Sequence, residues 1–298
     1  MGLWQTARQF GETFLTSSHA AAQAKALHGI TSAIGLQDNP PPPCMDPDLS
    51  YMPVDGAARE IHADLPAMLI GGLASLLFQM THPYAMAGVG DFSNYQADPL
   101  GRLYQTAQFI GVTTFGSRND AYHVIETVNA VHAGVRGTAP DGVAYSANDP
   151  HLLLWVHAAE TAMFLRAAET YGPTSLASER ADQYVAEMAV VARDLGVLSP
   201  PTTRAELMTC LQDFEPELRL IPAGVIARDF VVRGVSTKPH ERAAYATLVS
   251  AAINLLPPHA RRTLGIPRLP LAEDIVIRPI ALGMCVTLRF ATDALKTT

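Results

Sequence analysis

The sequence predicts an all-α protein. Apolar residues recur at the three-and-four spacing of a helix between Gly and Pro breaks, alternating apolar and polar runs never exceed a few residues, and helix start signals stand at the expected junctions. Asp98-Pro99 and Asp149-Pro150 are the plainest of these signals, an Asp cap followed by Pro at the first helical position, where its missing N–H has no partner to lose.

Leu3 to about Leu36 reads as a helix of good formers with few breakers, ended by Asn39-Pro40-Pro41-Pro42-Pro43. Four successive prolines cannot sit inside a helix and favour an extended connector, so residues 1–45 read as an arm with a Pro-rich spacer and residues 46–298 as one helical domain. The longest apolar run, Leu65 to Met80, falls short of the ~20 residues a bilayer span requires and carries Gly71, Gly72 and Ser75. It reads as a buried core helix ending at Thr81-His82-Pro83, because a residue before proline resists helical geometry. His82 could cap the final carbonyls there.

Gly88, Gly90 and Asp91-Phe92-Ser93-Asn94 suggest a loop before the Asp98-Pro99 helix, which carries Arg102, Leu103, Gln105, Thr106, Phe109 and Ile110 and stops before Gly116. Ser117 with Asp120 has the spacing of a capping box for the next helix, which runs to about Gly134. Its apolar positions Ala121, Val124, Ile125, Val128, Val131 and Val135 share one face, and His132 lies on it. After a turn at Pro140-Asp141-Gly142, the Asp149-Pro150 helix continues through Trp155, Val156 and His157 to about Tyr171, apolar on nearly every side as a central helix is. Helices are expected over Ser178–Leu195, Arg204–Phe214, Ala223–Val232 and Lys238–Leu256, with Pro257-Pro258 and Gly265 to Pro270 as interruptions. A last helix from Ala272 to about Ala294 is expected to kink at Pro279.

Composition narrows the function. Charged residues are 16% of the 298, against about 25% in an average soluble protein, and apolar residues reach 48%, so much of the chain is interior. A net charge of −7 without a basic run excludes a phosphate-backbone track, and no nucleic-acid partner is expected. Cys44, Cys210 and Cys285 are odd in number, widely spaced and in no metal-ligand pattern, which suits a reducing cytoplasm. The start lacks the features of a signal peptide and no transmembrane segment is expected, so the chain reads as cytoplasmic.

A buried imidazole must satisfy its ring nitrogens through hydrogen bonds or a metal, and His132 leaves both readings open. Arg102 and Thr106, four apart, point from one side of their helix, and Phe109 continues that side; Arg102 either pairs with a carboxylate such as Asp91 or Asp98 or faces a ligand. The short connection makes this helix and the His132 helix antiparallel neighbours. Counted from about Thr114, Arg102 and His132 lie ~18 and ~27 Å along their helices, so one pocket can hold both. His157, with Leu153, Leu154, Glu160 and Thr161 beside it, suits a buried polar network. His28, His62, His123, His151, His240 and His259 carry no signal that separates them. Gly-rich phosphate loops, Gly-x-Ser-x-Gly, His-Glu-x-x-His and paired Glu-x-x-His sets are missing. A non-haem metal requires two or three clustered ligands, whereas haem brings four nitrogens of its own and asks the protein for one.

Thr81-His82-Pro83, the segment Asp98 to Thr106, Phe115-Gly116, Val131-His132-Ala133-Gly134-Val135-Arg136-Gly137, Tyr145 to Pro150, Trp155-Val156-His157, Leu255-Leu256-Pro257-Pro258 and Arg261 to Pro267 together resemble the DUF2236 family. That family includes latex clearing proteins and the fungal oxygenase of mycophenolic acid biosynthesis. The resemblance covers roughly residues 55 to 270. It implies a helical core related to globins that holds haem b, with His132 as iron ligand, Arg102 and Thr106 on the distal side, and His157 as a structural or supporting histidine. It also implies dioxygen chemistry on a small apolar substrate, often a prenyl chain, cleaved at a carbon–carbon double bond. Gln105 stands where latex clearing proteins have a distal lysine, and the loop offers Asp91 in place of their catalytic glutamate.

The sequence therefore carries two functions. One is a haem oxygenase with His132 on the iron, Arg102 and Thr106 aimed at dioxygen, and Phe109 in the apolar wall. The other is a helical protein, free of cofactor or carrying haem, that binds a lipid-like ligand without catalysis; its helices would pack at the usual ~8–10 Å with no room for a porphyrin.

Overall fold

The computed structural model describes residues 43–93, 99–234 and 238–296, without the side chains of 99–104, 240, 291 and 293–296. The expected arm helix over Leu3–Leu36 and the Asp98 cap lie outside the described residues. Among those described, the chain forms α1 (Ala57–His62), α2 (Leu65–Gln79), α3 (Pro83–Phe92), α4 (Pro99–Phe115), α5 (Arg118–Gly134), a two-stranded hairpin β1 (Arg136–Thr138) and β2 (Ala144–Ser146), and α6 (Pro150–Tyr171). It continues as α7 (Ser178–Asp194), α8 (Arg204–Phe214), α9 (Pro222–Arg233), α10 (Pro239–Leu255), α11 (Pro258–Leu264) and α12 (Arg278–Lys296), with a single α-turn at Pro270–Ala272 and a π-helical turn at Glu273–Ile277 before α12. The fold is all-α.

The pair α2–α6 is the axis of the molecule, and its contact is the most extensive in the fold. Both helices are apolar around most of their circumference, so neither can be stable on the surface. Gly71 allows them to cross closely, since a Cβ there would sit 2.7 Å from Cδ1 of Phe164. Ile70, Leu77, Phe78, Trp155 and Met163 fill the seam, and the Trp155 indole N–H donates to the Gln79 carbonyl at 3.1 Å. Helix α10 covers α2, α8 lies on α6, and α7 lies on α1 and α6.

Three polar ties lock the outer layers. Glu187 on α7 accepts from the Ala57 and Ala58 amides at 3.2 and 2.7 Å, filling the N-terminus of α1, and Gly56 leaves the room, because a Cβ there would meet the carboxylate at 2.8 Å. Arg289 on α12 binds Asp64, the cap of α2, through two bonds of 2.7 and 2.8 Å. Arg261 on α11 holds Glu273 in a buried two-bond pair at 2.8 and 2.6 Å.

Several expectations change. The stretch Gly88 to Phe92 is helical, the second half of α3, with Gly88 facing the Tyr145 ring of β2. The expected break at Pro257-Pro258 separates α10 from α11, a further helix that begins at Pro258, as proline does at the first position. Pro279 is the second residue of α12, and the irregularity precedes it as the π turn. His82 occupies the cap position of α3 without a side-chain cap bond. Val131 is 60% exposed, while Ala121 and Ile125 are buried and Val124, Val128, His132 and Val135 half-buried, so the inward stripe of α5 is narrower than its apolar content suggests.

Candidate functional site

The local sequence places α5 firmly. Ser117 and Asp120 form the reciprocal capping box that starts it, and the Arg118 amide donates to the Leu49 carbonyl at 2.8 Å. At its lower end α4 is tied to the core through Thr114, whose hydroxyl lies 2.7 Å from Nδ1 of the buried His62; the other ring nitrogen of His62 reaches Tyr184 Oη at 3.0 Å. Near the opposite end of α5, Asn129 donates to the Asp194 carbonyl at 3.2 Å.

Between these ties the hairpin α4–α5 stands off the core. Among the described residues α4 and α5 touch much less than α2 and α6 do, and neither lies along α2 or α6. The half-buried residues of these helices include Leu69, Gly72, Leu76 and Gln79 on α2, Thr106, Phe109 and Ile110 on α4, Val124, Val128 and His132 on α5, and Val156, His157 and Glu160 on α6, of which Leu69, Leu76, Ile110 and Val156 pack against the central core. This set is mainly apolar with a few polar groups, the usual make-up of a small-molecule site.

The predicted residues fall as follows. His132 and Thr106 are half-buried and each already engages a neighbour. Phe109 is half-buried on the same helix as Thr106. Arg102 lies on the first turns of α4, and its side chain is outside the described residues. His157 receives the Thr161 hydroxyl at Nδ1 at 3.4 Å, while its Nε2 is buried with no hydrogen-bond partner among the described residues. Asp91, the carboxylate candidate of the preceding segment, is exposed on α3 and accepts the Tyr145 hydroxyl.

Burial drives the electrostatics. The His157 imidazole is pushed down to about 4, first by burial and then by the nearby Arg193 charge, so it is neutral at physiological pH. Glu160, one turn further along α6, is pushed up to about 7 by burial, against the opposing pull of a hydrogen bond from Gln79. Both keep some open surface while protein atoms enclose the titrating group. One stretch of α6 therefore carries a neutral imidazole and a carboxyl group that burial pushes up toward neutrality.

A second polar cluster lies at the joined ends of α3, α6 and the single 3-10 turn Glu215–Glu217. Glu217 meets Nε2 of His82 at 3.3 Å and Nε2 of His151 at 2.9 Å. The His82 ring is packed by Trp155 and Phe214 with centroids 5.7 and 6.0 Å away, and His151 lies on Phe214 at 4.5 Å. Two imidazoles and a carboxylate can hold a divalent metal. A metal on Nε2 of His82 would leave the proton on Nδ1, which is buried with no acceptor among the described residues. The arrangement fits a hydrogen-bonded tie, both Nε2–H groups donating to Glu217, better than a metal centre.

Gln79, His151 and Glu217 escaped the sequence reading, which named Glu160 only as a neighbour of His157. For Glu160 a signal existed, its position three residues after His157 on one helical face. For His151 and Glu217 none did, since only the tertiary fold joins positions 82, 151 and 217. Two surface hollows, one lined by Glu60, Asp64, Ala168 and Leu176 and one by Met45, Arg59, Phe115 and Arg180, contain none of the predicted residues.

No curated protein and no solved structure matches the chain. The family model described as ER-bound oxygenase mpaB/B'/Rubber oxygenase, catalytic domain, matches residues 59–290. That span takes in α2, α4, α5 and α6 together with His82, Arg102, Thr106, Phe109, His132, His157 and Glu160. The chain belongs to this family of oxygenase catalytic domains.

Proposed function

We propose that the protein is a haem b-dependent oxygenase that uses O2 on a small apolar, unsaturated substrate of the prenyl kind, with His132 as the iron ligand. The observation that supports this reading is that α4–α5 does not pack along the α2–α6 pair, with the half-buried His132 imidazole on the inward stripe of α5. A cofactor-free helical protein packs its helices together. The residues present suit the group: a flat apolar macrocycle requires apolar walls, which Phe109, Val124 and Val128 would supply, and a single imidazole suffices as protein ligand.

Haem, when bound, supplies the iron at which dioxygen is activated. His132 holds it, on a helix fixed at one end by its capping box and near the other by Asn129. Arg102 and Thr106 would be the hydrogen-bond donors on the dioxygen side, where low solvent exposure would strengthen each bond. Phe109 and its apolar neighbours hold the substrate and keep bulk water out. His157, neutral and held at Nδ1 by Thr161, positions the α6 wall.

The test is spectroscopic and then catalytic. The full chain, expressed with haem supply, should show a Soret band that disappears in His132→Ala, and it should consume O2 in the presence of prenylated substrates to give carbonyl products. A colourless protein, or a band that persists in His132→Ala, removes the reading; a stable band without O2 consumption reduces it to a haem carrier.

A further inference from the structure

Residues 268–280 expose an unusual number of aliphatic side chains among their charged ones. Leu269, Leu271, Ile275, Val276 and Ile280 are 58, 78, 67, 50 and 56% exposed, five large aliphatic side chains within twelve residues. Isolated exposed aliphatics are ordinary, but a contiguous ridge of them marks a surface that meets something. The cause is local. The α-turn Pro270–Ala272 passes through the π turn Glu273–Ile277 into α12, and Leu271, Ile275, Val276 and Ile280 are exposed along this course. The segment is anchored beside them: Glu273 is buried against Arg261, and Ala281, Cys285 and Leu288 are buried in turn along α12. The segment cannot roll these aliphatics inward without breaking that pair.

The charges around the ridge identify its partner. Arg262, Arg268 and Arg278 are exposed at its borders, while Asp274 is the one exposed acid between residues 262 and 280 of a chain whose net charge is −7. An isologous contact with a second copy would bring the same cations toward one another across the two-fold axis. An anionic lipid surface accepts both features, aliphatics at the boundary between headgroups and acyl chains and guanidiniums among the phosphates. Among the described residues no single helix is long and apolar enough to cross a membrane.

We propose that residues 268–280 are a membrane-docking ridge that seats the protein on anionic bilayers. This stands apart from the haem reading and survives its failure. The full chain should co-sediment with phosphatidylcholine vesicles containing phosphatidylserine, and the advantage over phosphatidylcholine alone should be roughly 5-fold for each arginine engaged, declining as salt is raised. The double variant Leu271→Asp/Ile275→Asp should weaken binding by at least ~10-fold, and Arg268→Ala/Arg278→Ala should remove the preference for phosphatidylserine while keeping residual binding to both vesicle types. Both pairs are exposed, and unchanged thermal melts will show that the fold is intact. No sedimentation of the wild-type chain, binding that Leu271→Asp/Ile275→Asp leaves unchanged, or a wild-type dimer that this variant dissociates in the absence of vesicle binding, each overturns the proposal.

Discussion

Asn129 on α5 donates its side-chain amide to the main-chain carbonyl of Asp194, the last residue of α7, at 3.2 Å, and His132 follows one turn later on the same helix. A helix that stands off the core has few contacts to hold its angle, so one bond to the neighbouring helix end carries more weight than it would in a packed seam. Replacing Asn129 by Ala should cost about 1 kcal/mol of stability. In haem-loaded protein it should also speed haem loss to an excess of a competing haem-binding protein, because the turn bearing His132 is released. A loss rate equal to wild type would mean that the bond does not govern the His132 position.

Glu160 gives the protein a pH signature. Its carboxyl is pushed up to about 7 from an ordinary 4.5, so between these values the folded chain keeps a proton that the unfolded chain releases, and this contribution fades as pH rises through the window. His157 and His62, pushed down to about 4 and about 3 by burial, act with the opposite sign: the unfolded chain takes up protons below 6.5, and stability falls as pH drops toward those values. Glu160→Gln removes only the first effect. Relative to wild type it should gain on the order of 2 kcal/mol between about pH 5 and about pH 8 in chemical denaturation. Parallel stability–pH curves for the two proteins would show that the carboxyl is ionised without penalty.

Glu187 replaces a local cap with a distant one. Gly56 has no side chain to satisfy the first amides of α1, and the α7 carboxylate supplies the acceptor instead. Glu187→Ala should destabilise the protein by roughly 1–3 kcal/mol, measured by urea denaturation, with α1 losing amide protection first in hydrogen exchange. Uniform loss of protection across α1 and α7 would point to global loosening rather than loss of the cap.

Arg261 and Glu273 are both buried, so removing either leaves a charge without its partner. Arg261→Ala should cost about 3–5 kcal/mol, whereas Arg261→Met combined with Glu273→Leu should cost much less. Glu273 also accepts the Leu269 amide, and Arg261 donates to the Pro267 carbonyl, so the single variant should increase proteolysis within residues 265–277. A double variant as unstable as the single one would mean that these backbone bonds, rather than the ion pair, dominate.

Much of the fold was legible because its signals are local. The Asp149-Pro150 start, the Ser117–Asp120 box and the helix Arg204–Phe214 depend on residues within one turn of each other, and the structure forms all three where the sequence places them. Where signals competed, packing decided. Gly88 and Gly90 read as a loop, yet α3 continues through them because its glycines lie against Tyr145 of β2 and Ala223 of α9, neighbours far away in sequence. The inward face of α5 was visible from spacing alone, but the exposure of Val131 was not, since an apolar stripe shows which residues could be buried and only the neighbouring helices determine how wide a stripe they cover.

The sequence by itself determined the helical class, the element boundaries set by caps and prolines, and His132 as the one imidazole on the apolar stripe of its helix. The tertiary structure decided that α4–α5 does not pack along α2–α6, that burial pushes the Glu160 carboxyl up, that Glu217 gathers His82 and His151, and that aliphatics of residues 268–280 are exposed. The division has a physical reason: hydrogen bonds and rotamer limits act within a turn of helix, whereas burial and charge depend on which distant segments fill the surrounding volume.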